Sequence, residues 1–355
     1  MKATASGDER MRFAASVRRP SLSDRRRLLG LAALVVAALT GPATGEALAA
    51  DAKVPVVVAF YATPLEEPWN MVIHTAMEME QRAGKIRYTW KDNLAGVAPM
   101  AAAISASLAT KPDMIVADAA DGDREIRALA AANPGIKFVI GTATETQAPN
   151  MSIFDSDLAE PAYLCGILAG SLTKSGVVGV VCGKAEPHVN RTINAFIAGA
   201  HDASARVKVK VTFIDAWYDP PKAKAAALAQ ITAGADVIYA EREGAIAGAK
   251  EKGVFAFGNL VDQFEEAPEC VITGPVWNMT PLTDYIVKKA SLGVVHAEDL
   301  QDFSTLARGG AALASFHGWE TKLPPETLEI LREKDRALKA GLMTLEQNAA
   351  TPKGD

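Results

Sequence analysis

The sequence predicts an α/β protein built as two doubly wound parallel-sheet lobes. Three observations predict it. Short, continuously apolar, β-branched runs alternate with Ala-rich stretches of helical period, the pattern of parallel strands covered by helices on both faces. That rhythm runs through the chain twice. With 355 residues, 49% hydrophobic and 22% charged, the chain can bury two cores. The same composition excludes disorder, collagen and coiled coil.

Residues 1–49 read as an export label outside the fold. Arg25-Arg26-Arg27 precedes Leu28-Leu29-Gly30 and a mainly apolar run to Thr40, then the breaker Gly41-Pro42 and a small-x-small site at Ala47-Leu48-Ala49. The apolar stretch is short for a hydrocarbon core of roughly 30 Å, and a retained membrane anchor is the alternative. Asp24-Arg25-Arg26-Arg27-Leu28-Leu29 resembles the twin-arginine export motif, with Leu where Phe is common; a Sec signal also carries arginines here. By either route a cleaved signal, a mature chain of 306 residues and a periplasmic location are expected, without a cysteine at the cleavage point to take a lipid.

The first strand is expected over Val54–Tyr61. A helix follows over Pro68–Arg82, with Met71, Thr75 and Met79 at helical spacing. Met114–Asp118 and Phe138–Gly141 are further buried strands around a helix over Asp121–Ala132. The pattern resumes with strand Val177–Cys182, helix Val189–Ala203 and strand Val207–Ile214, then Pro221–Ala233, Val237–Glu241 and Phe255–Gly258. Ala101-Ala102-Ala103-Ile104 before Asp113-Met114-Ile115-Val116-Ala117 is echoed by Ala225-Ala226-Ala227-Leu228 before Asp236-Val237-Ile238-Tyr239-Ala240, which favours duplication. No long Pro/Gly/Ser linker separates the halves, as suits several short crossovers. We expect residues 50–155 plus about 272–298 in one lobe, 156–271 plus about 299–345 in the other, and a tail over 346–355.

The charge is uneven: the first 49 residues carry +4 and the remainder −9. A body that acidic is a poor partner for nucleic acid or an anionic membrane. Cys165, Cys182 and Cys270 are too few and too scattered for a disulfide framework or a zinc cluster. Cys165 and Cys182 lie in apolar segments and are expected buried and reduced; Cys270, after a charged loop, is expected to be the most accessible. No G-x-S-x-G is present, and Gly183-Lys184 is followed by Ala185 where a phosphate-binding loop needs Ser or Thr. No cofactor or metal is expected. His74 and His201 fit helix surfaces, His296 and His317 fit loops, and His188 stands at a strand-to-helix turn where it could face a cleft.

In open α/β sheets ligands bind outside the carboxyl ends of the strands. Those tips carry Trp69 and Asn70, Asp118 and Asp121, Glu186 to His188 with Asn194 further into the helix, Trp217, Glu241 through Glu243, Asn259 and Asp262, and Trp277. Only 6% of residues are aromatic, yet three of five tryptophans fall at such tips. Indole faces suit planar ligands, and the neighbouring carboxylates and amides suit ring N–H groups and ring nitrogens.

These residues resemble the basic membrane protein family of substrate-binding proteins, which serve ABC importers of nucleosides and purines. Pro68-Trp69-Asn70 is similar to the family's aromatic-Asn pair, and Trp217-Tyr218-Asp219-Pro220 with Lys222 and Ala223 to its aromatic-x-Asp-Pro-x-Lys-Ala signature. Gly234-Ala235-Asp236-Val237-Ile238, the Gly258 to Asp262 loop, and Asn194-Ala195-Phe196-x-x-Gly199 also match. Trp277 stands where nucleoside binders often have Lys, and the lipobox of many members is missing. With Trp at 69, 217 and 277 the chain looks more like the branch that takes free purine bases such as adenine.

The resemblance implies a type I periplasmic binding protein: two lobes closing on a hinge over a purine base or nucleoside, a permease as partner, no catalysis, and a monomer. It implies Trp69 and Trp217 as stacking faces from opposite lobes, Trp277 as a third wall, and Asp262 and Asn70 on polar edges of the ligand. Asn194, Asp118 and Glu241 are further candidates. An exported purine-ribosyl hydrolase using Asp118, Asp121 or Asp262, or a sensory domain of the same fold, are the competing readings.

Overall fold

The computed structural model describes residues 53–119 and 122–355. The export label and Asp121 lie outside them. Strands β1 (Val56–Phe60), β2 (Arg87–Lys91), β3 (Met114–Asp118), β4 (Lys137–Gly141) and β5 (Met151–Phe154) form the first sheet, in the order β2-β1-β3-β4-β5. The second sheet contains β6 (Val177–Cys182), β7 (Lys208–Phe213), β8 (Val237–Ala240), β9 (Phe255–Phe257) and β10 (Val271–Thr273), in the order β10-β9-β8-β6-β7. Every pairing in both sheets is parallel. Each sheet's first strand lies between its second and third, so the two lobes share one topology. The expected two-lobe α/β fold is therefore what the chain adopts.

Helices α1 (Pro68–Arg82), α2 (Val97–Leu108) and α3 (Asp123–Ala132) connect the strands of lobe 1; α5 (Pro187–Ala203), α6 (Pro220–Thr232) and α7 (Ala245–Lys252) connect those of lobe 2. Proline sets three of these starts. Its missing N–H and fixed φ suit the first helical turn, so α5 begins at Pro187 and α6 at Pro220, one or two residues before the apolar period alone suggests. Helix α1 has the expected bounds, but Met71, Thr75 and Met79 face solvent. Its buried side is Ile73, Ala76, Met77 and Glu80.

The chain passes between the lobes at three places. Residues 155–158 lead from β5 into α4 (Ala159–Leu172); β11 (Pro275–Trp277) leads from β10 into α8 (Thr280–Ser291), which packs on α1. The chain then returns past β5, where Ile153 N donates to Glu298 O and Leu300 N donates to Ile153 O, to β12 (Ala311–Leu313), antiparallel to β11, and to α9 (Pro325–Lys339) against α4.

Helix α4 is buried on nearly every side and presses on α5. Glycine permits the approach: a Cβ at Gly166 would lie 2.0 Å from the Phe196 carbonyl oxygen, and one at Gly199 2.0 Å from that of Tyr163. Residues 346–355 run along α5 and the outer edge of β7. Asn194 Nδ2 donates to the carbonyls of Asn348 and Ala350, both at 2.8 Å, and Asp355 N donates to Val209 O at 2.9 Å.

All three cysteines are free and buried. The expectation of an accessible Cys270 is corrected: it is 2% exposed and belongs to the buried lobe 2 cluster with Ala267 and Val271, and its N–H donates to the Ala267 carbonyl.

Candidate functional site

The carboxyl tips of the two sheets converge on one cleft. Ala62, Thr63, Glu67, Trp69, Asn70, Asp118 and Thr142 line it from lobe 1, and His188, Trp217 and Arg242 from lobe 2. Its empty volume is ≈ 490 Å³, open mouth included.

On the lobe 1 side, the loop between β1 and α1 is tied by Asn70. Its Nδ2 donates to Thr63 O at 3.0 Å, Thr63 Oγ1 at 2.7 Å and Pro64 O at 2.9 Å. The amide nitrogen is thereby committed to structure, and Oδ1 is the part of Asn70 left to accept. Glu67 caps α1 by accepting from Asn70 N at 3.3 Å. Trp69 is backed by Trp277, 4.8 Å away between centroids, and by the nearly parallel ring of Phe154 at 5.9 Å. Gly141 makes room for it, since a Cβ there would meet Cζ2 of Trp69 at 2.8 Å. At the tips of β3 and β4, Thr142 Oγ1 donates to Asp118 Oδ1 at 2.6 Å.

On the lobe 2 side, Trp217 follows β7. His188, in the first turn of α5, stacks on its indole at 5.8 Å and 20°. The Arg242 guanidinium and Lys184 Nζ lie over the same indole at 5.2 and 5.3 Å from its centroid. Arg242 grips Glu241 by two bonds, Nε to Oε2 at 2.9 Å and Nη2 to Oε1 at 2.6 Å. Its Nη1 reaches Glu67 Oε1 at 3.2 Å and Trp217 O at 3.3 Å.

Burial dominates the electrostatics. It raises the Glu67 carboxyl, an effect the Arg242 charge partly offsets. Burial also pushes Glu243 up to about 8, and Glu243 Oε2 is buried without a hydrogen-bond partner. The same desolvation, acting on a cation, pushes His188 down to about 4. At neutral pH His188 is an uncharged imidazole. Among the described residues no group of three or more His, Cys, Asp or Glu side chains is placed to hold a metal ion.

The cleft brings together four of the candidate ligand residues, Trp69, Asn70, Asp118 and Trp217, and also His188, expected at a turn that could face it. The others lie elsewhere. Glu241 stands behind Arg242, and its Oε2 also accepts from Gly183 N at 2.9 Å, so its oxygens are already engaged. Trp277 backs Trp69 from outside the cleft; it is 5% exposed, and its Nε1 donates to Ser304 Oγ at 2.9 Å. Asp262 pairs with His317 Nε2 at 2.7 Å and accepts from Phe264 N, an arrangement that closes its own loop. Asn194 projects from the outer part of α5 and is consumed by the 346–355 segment.

Glu67, Thr63, Thr142 and Arg242 were not anticipated as site residues. Arg242 sits in Glu241-Arg242-Glu243, which the sequence places at a strand tip, with Glu241 taken from it as the candidate.

The chain matches a family model described as ABC transporter substrate-binding protein PnrA-like over residues 56–301. It is 26% identical over 314 residues to a purine-binding protein of Brucella abortus, covering 87% of each chain. It is 30% identical over 124 residues to the ABC transporter nucleoside-binding protein BmpA of Lactococcus lactis, 35% of this chain and 34% of that one. Among solved structures it is similar to an ABC transporter solute-binding protein from Aeropyrum pernix, with 16% identity and TM-score 0.72 over 84% of this chain and 94% of that one. One from Conexibacter woesei gives 20% identity and TM-score 0.64, covering 82% and 99%.

Proposed function

The chain belongs to the Bmp family of PnrA-like ABC transporter substrate-binding proteins, and we propose that its cleft takes a free purine base. Its role is to bind a solute between two lobes for an importer. The observation that carries the ligand class is the meeting of Trp69 and Trp217, from opposite lobes, in one cleft whose other walls are Asp118, Asn70, Thr142 and His188. Two indoles supply flat apolar faces, and the polar set supplies edge contacts. The purine-binding relative in Brucella abortus supports the same class.

The cleft also contains a charge bridge, Glu67 to Arg242, spanning the lobes. The Arg242 guanidinium of this bridge lies over the Trp217 indole, 5.2 Å from its centroid. Export to the periplasm behind the 1–49 label, release to a membrane permease and action as a monomer complete the reading. Domain closure gives such a protein its work, and closure needs no nucleophile.

Calorimetric titration with adenine, guanine, hypoxanthine, adenosine and glucose tests the proposal, alongside chromatography of adenosine incubated with the protein. Tight binding of a base, weaker binding of adenosine and no hydrolysis are expected. Glucose binding with no response to any purine would overturn it, as would turnover of adenosine.

A further inference from the structure

We propose that His188 is the residue through which lobe 2 reads the edge of the bound ring, as donor and acceptor in hydrogen bonds to ring nitrogens. The inference rests on the purine reading above and names the side chain that would enforce it.

The hydrogen-bonding capacity of the cleft leads to this residue. Asn70 has spent its two N–H groups on Thr63 and Pro64, and so can only accept. Asp118, an acceptor when ionised, already takes the Thr142 hydroxyl. Glu67 and Arg242 are joined to each other, and Arg242 also to Glu241. The polar groups of lobe 1 are therefore mainly acceptors, suited to the N–H side of a purine. A purine also carries bare ring nitrogens, which need donors.

His188 lines the same cleft with its ring face held on Trp217 at 5.8 Å. No hydrogen bond ties its ring nitrogens to another described side chain, in contrast to His317 on Asp262 or His74 on Tyr88. The nitrogens of a ring fixed by its face bond in the ring plane, so recognition is edgewise. Charged groups surround it: Asp118 from lobe 1, Glu241 and Arg242 at the β8 tip, and Arg191 one turn along α5. Burial outweighs the carboxylates, and the positive end of α5 works in the same direction. The imidazole therefore stays neutral and offers one N–H and one lone pair, the combination that an Asp or Lys in its place would lack.

The experiment compares the full chain with His188→Phe, which keeps the stacked ring, and His188→Gln, which keeps a donor and an acceptor. Each is titrated with adenine and its 1-deaza, 3-deaza and 7-deaza analogues, with melting temperatures recorded. The unaltered protein is expected to bind adenine and to lose about tenfold on at least one analogue. His188→Phe should lose about tenfold on adenine and no longer distinguish that analogue, while His188→Gln recovers part of the loss. If both variants keep the adenine affinity and the analogue ranking of the unaltered protein, His188 reads nothing and the inference fails while the purine reading stands. If the unaltered protein ignores every purine, both fail together.

Discussion

Glu67 and Arg242 come from different lobes and meet at 3.2 Å, with only 4% and 7% of their side chains exposed. Arg242 also pairs with Glu241, its neighbour at the tip of β8, at 2.6 Å. Among the described residues no second cation is paired with Glu67. The bridge therefore joins the two lobes across the cleft, and its loss would part Glu67 from Arg242 without touching the Arg242–Glu241 pair.

Glu67→Gln should therefore loosen closure without unfolding lobe 2. The loss is expected at about 1.5–3 kcal/mol, the range for a hydrogen bond to a charged group, and should appear as faster ligand release in stopped-flow fluorescence. An unchanged release rate would mean that the bridge does not bear on closure.

The tryptophans should separate by role. Trp217→Ala is expected to weaken base binding by about 1–3 kcal/mol with a small change in urea midpoint. Trp277→Ala removes a buried ring bonded to Ser304, and a loss of about 3–5 kcal/mol of stability is expected. Trp69→Ala should affect both, since that ring lies between the cleft and Trp277. Parallel affinity and urea measurements on the three variants check the assignment.

How much of this was legible in the chain can be seen residue by residue. The strands were, because runs such as Val177–Cys182 are apolar without interruption and only a doubly covered sheet accommodates them. Trp69, Asn70, Asp118 and Trp217 were, because strand tips point into the cleft in any doubly wound lobe. Trp277 and Asp262 also follow strands, but a tip position does not say what the side chain will meet: Ser304 and His317 come from crossovers far along the chain. Of the motif residues Asn194, Phe196 and Gly199, only Asn194 was a ligand candidate, and all three have structural roles. They hold the 346–355 segment, fill the core and admit α4. Arg242 was hidden because burial of a charge run depends on partners supplied by the other lobe.

Stability should fall as pH rises from 6.5 to 8.5. Burial lifts Asp155 to about 7 and Glu243 to about 8, well above the ~4 of an unfolded carboxyl. Each holds its proton more tightly when folded, so its contribution is complete below about pH 4 and is lost as pH passes through the folded value. His188, depressed to about 4, works in the opposite sense, but only below about pH 6.5. Urea midpoints across this window should decline, and Glu243→Gln should flatten the slope.

The native thiols should resist labelling. Burial raises all three, Cys270 to about 11 and the other two well above the usual thiol value, so little thiolate is present at pH 8. Time courses with a disulfide reagent should show slow reaction, with Cys270 first and Cys165 only on unfolding.

Gly199→Ala should be costly despite the high helix propensity of alanine. The added methyl would meet the Tyr163 carbonyl at 2.0 Å, forcing α4 away from α5 at a cost of about 1–3 kcal/mol or more. A thermal melt unchanged from the parent would show that the helices have slack.

The placement of residues 346–355 bears on self-association. Strand β7 ends the second sheet, and an end strand presents unpaired N–H and C=O groups that a neighbouring molecule can adopt as a template. Val209 N donates to Asp355 Oδ2 at 3.0 Å and Val209 O accepts from Asp355 N, so the chain supplies its own stopper at that margin. Cut back to residue 345, the same lobe would offer a sticky border to its copies. Protection of a carrier from clumping at high concentration would then lie in a short segment remote from the ligand.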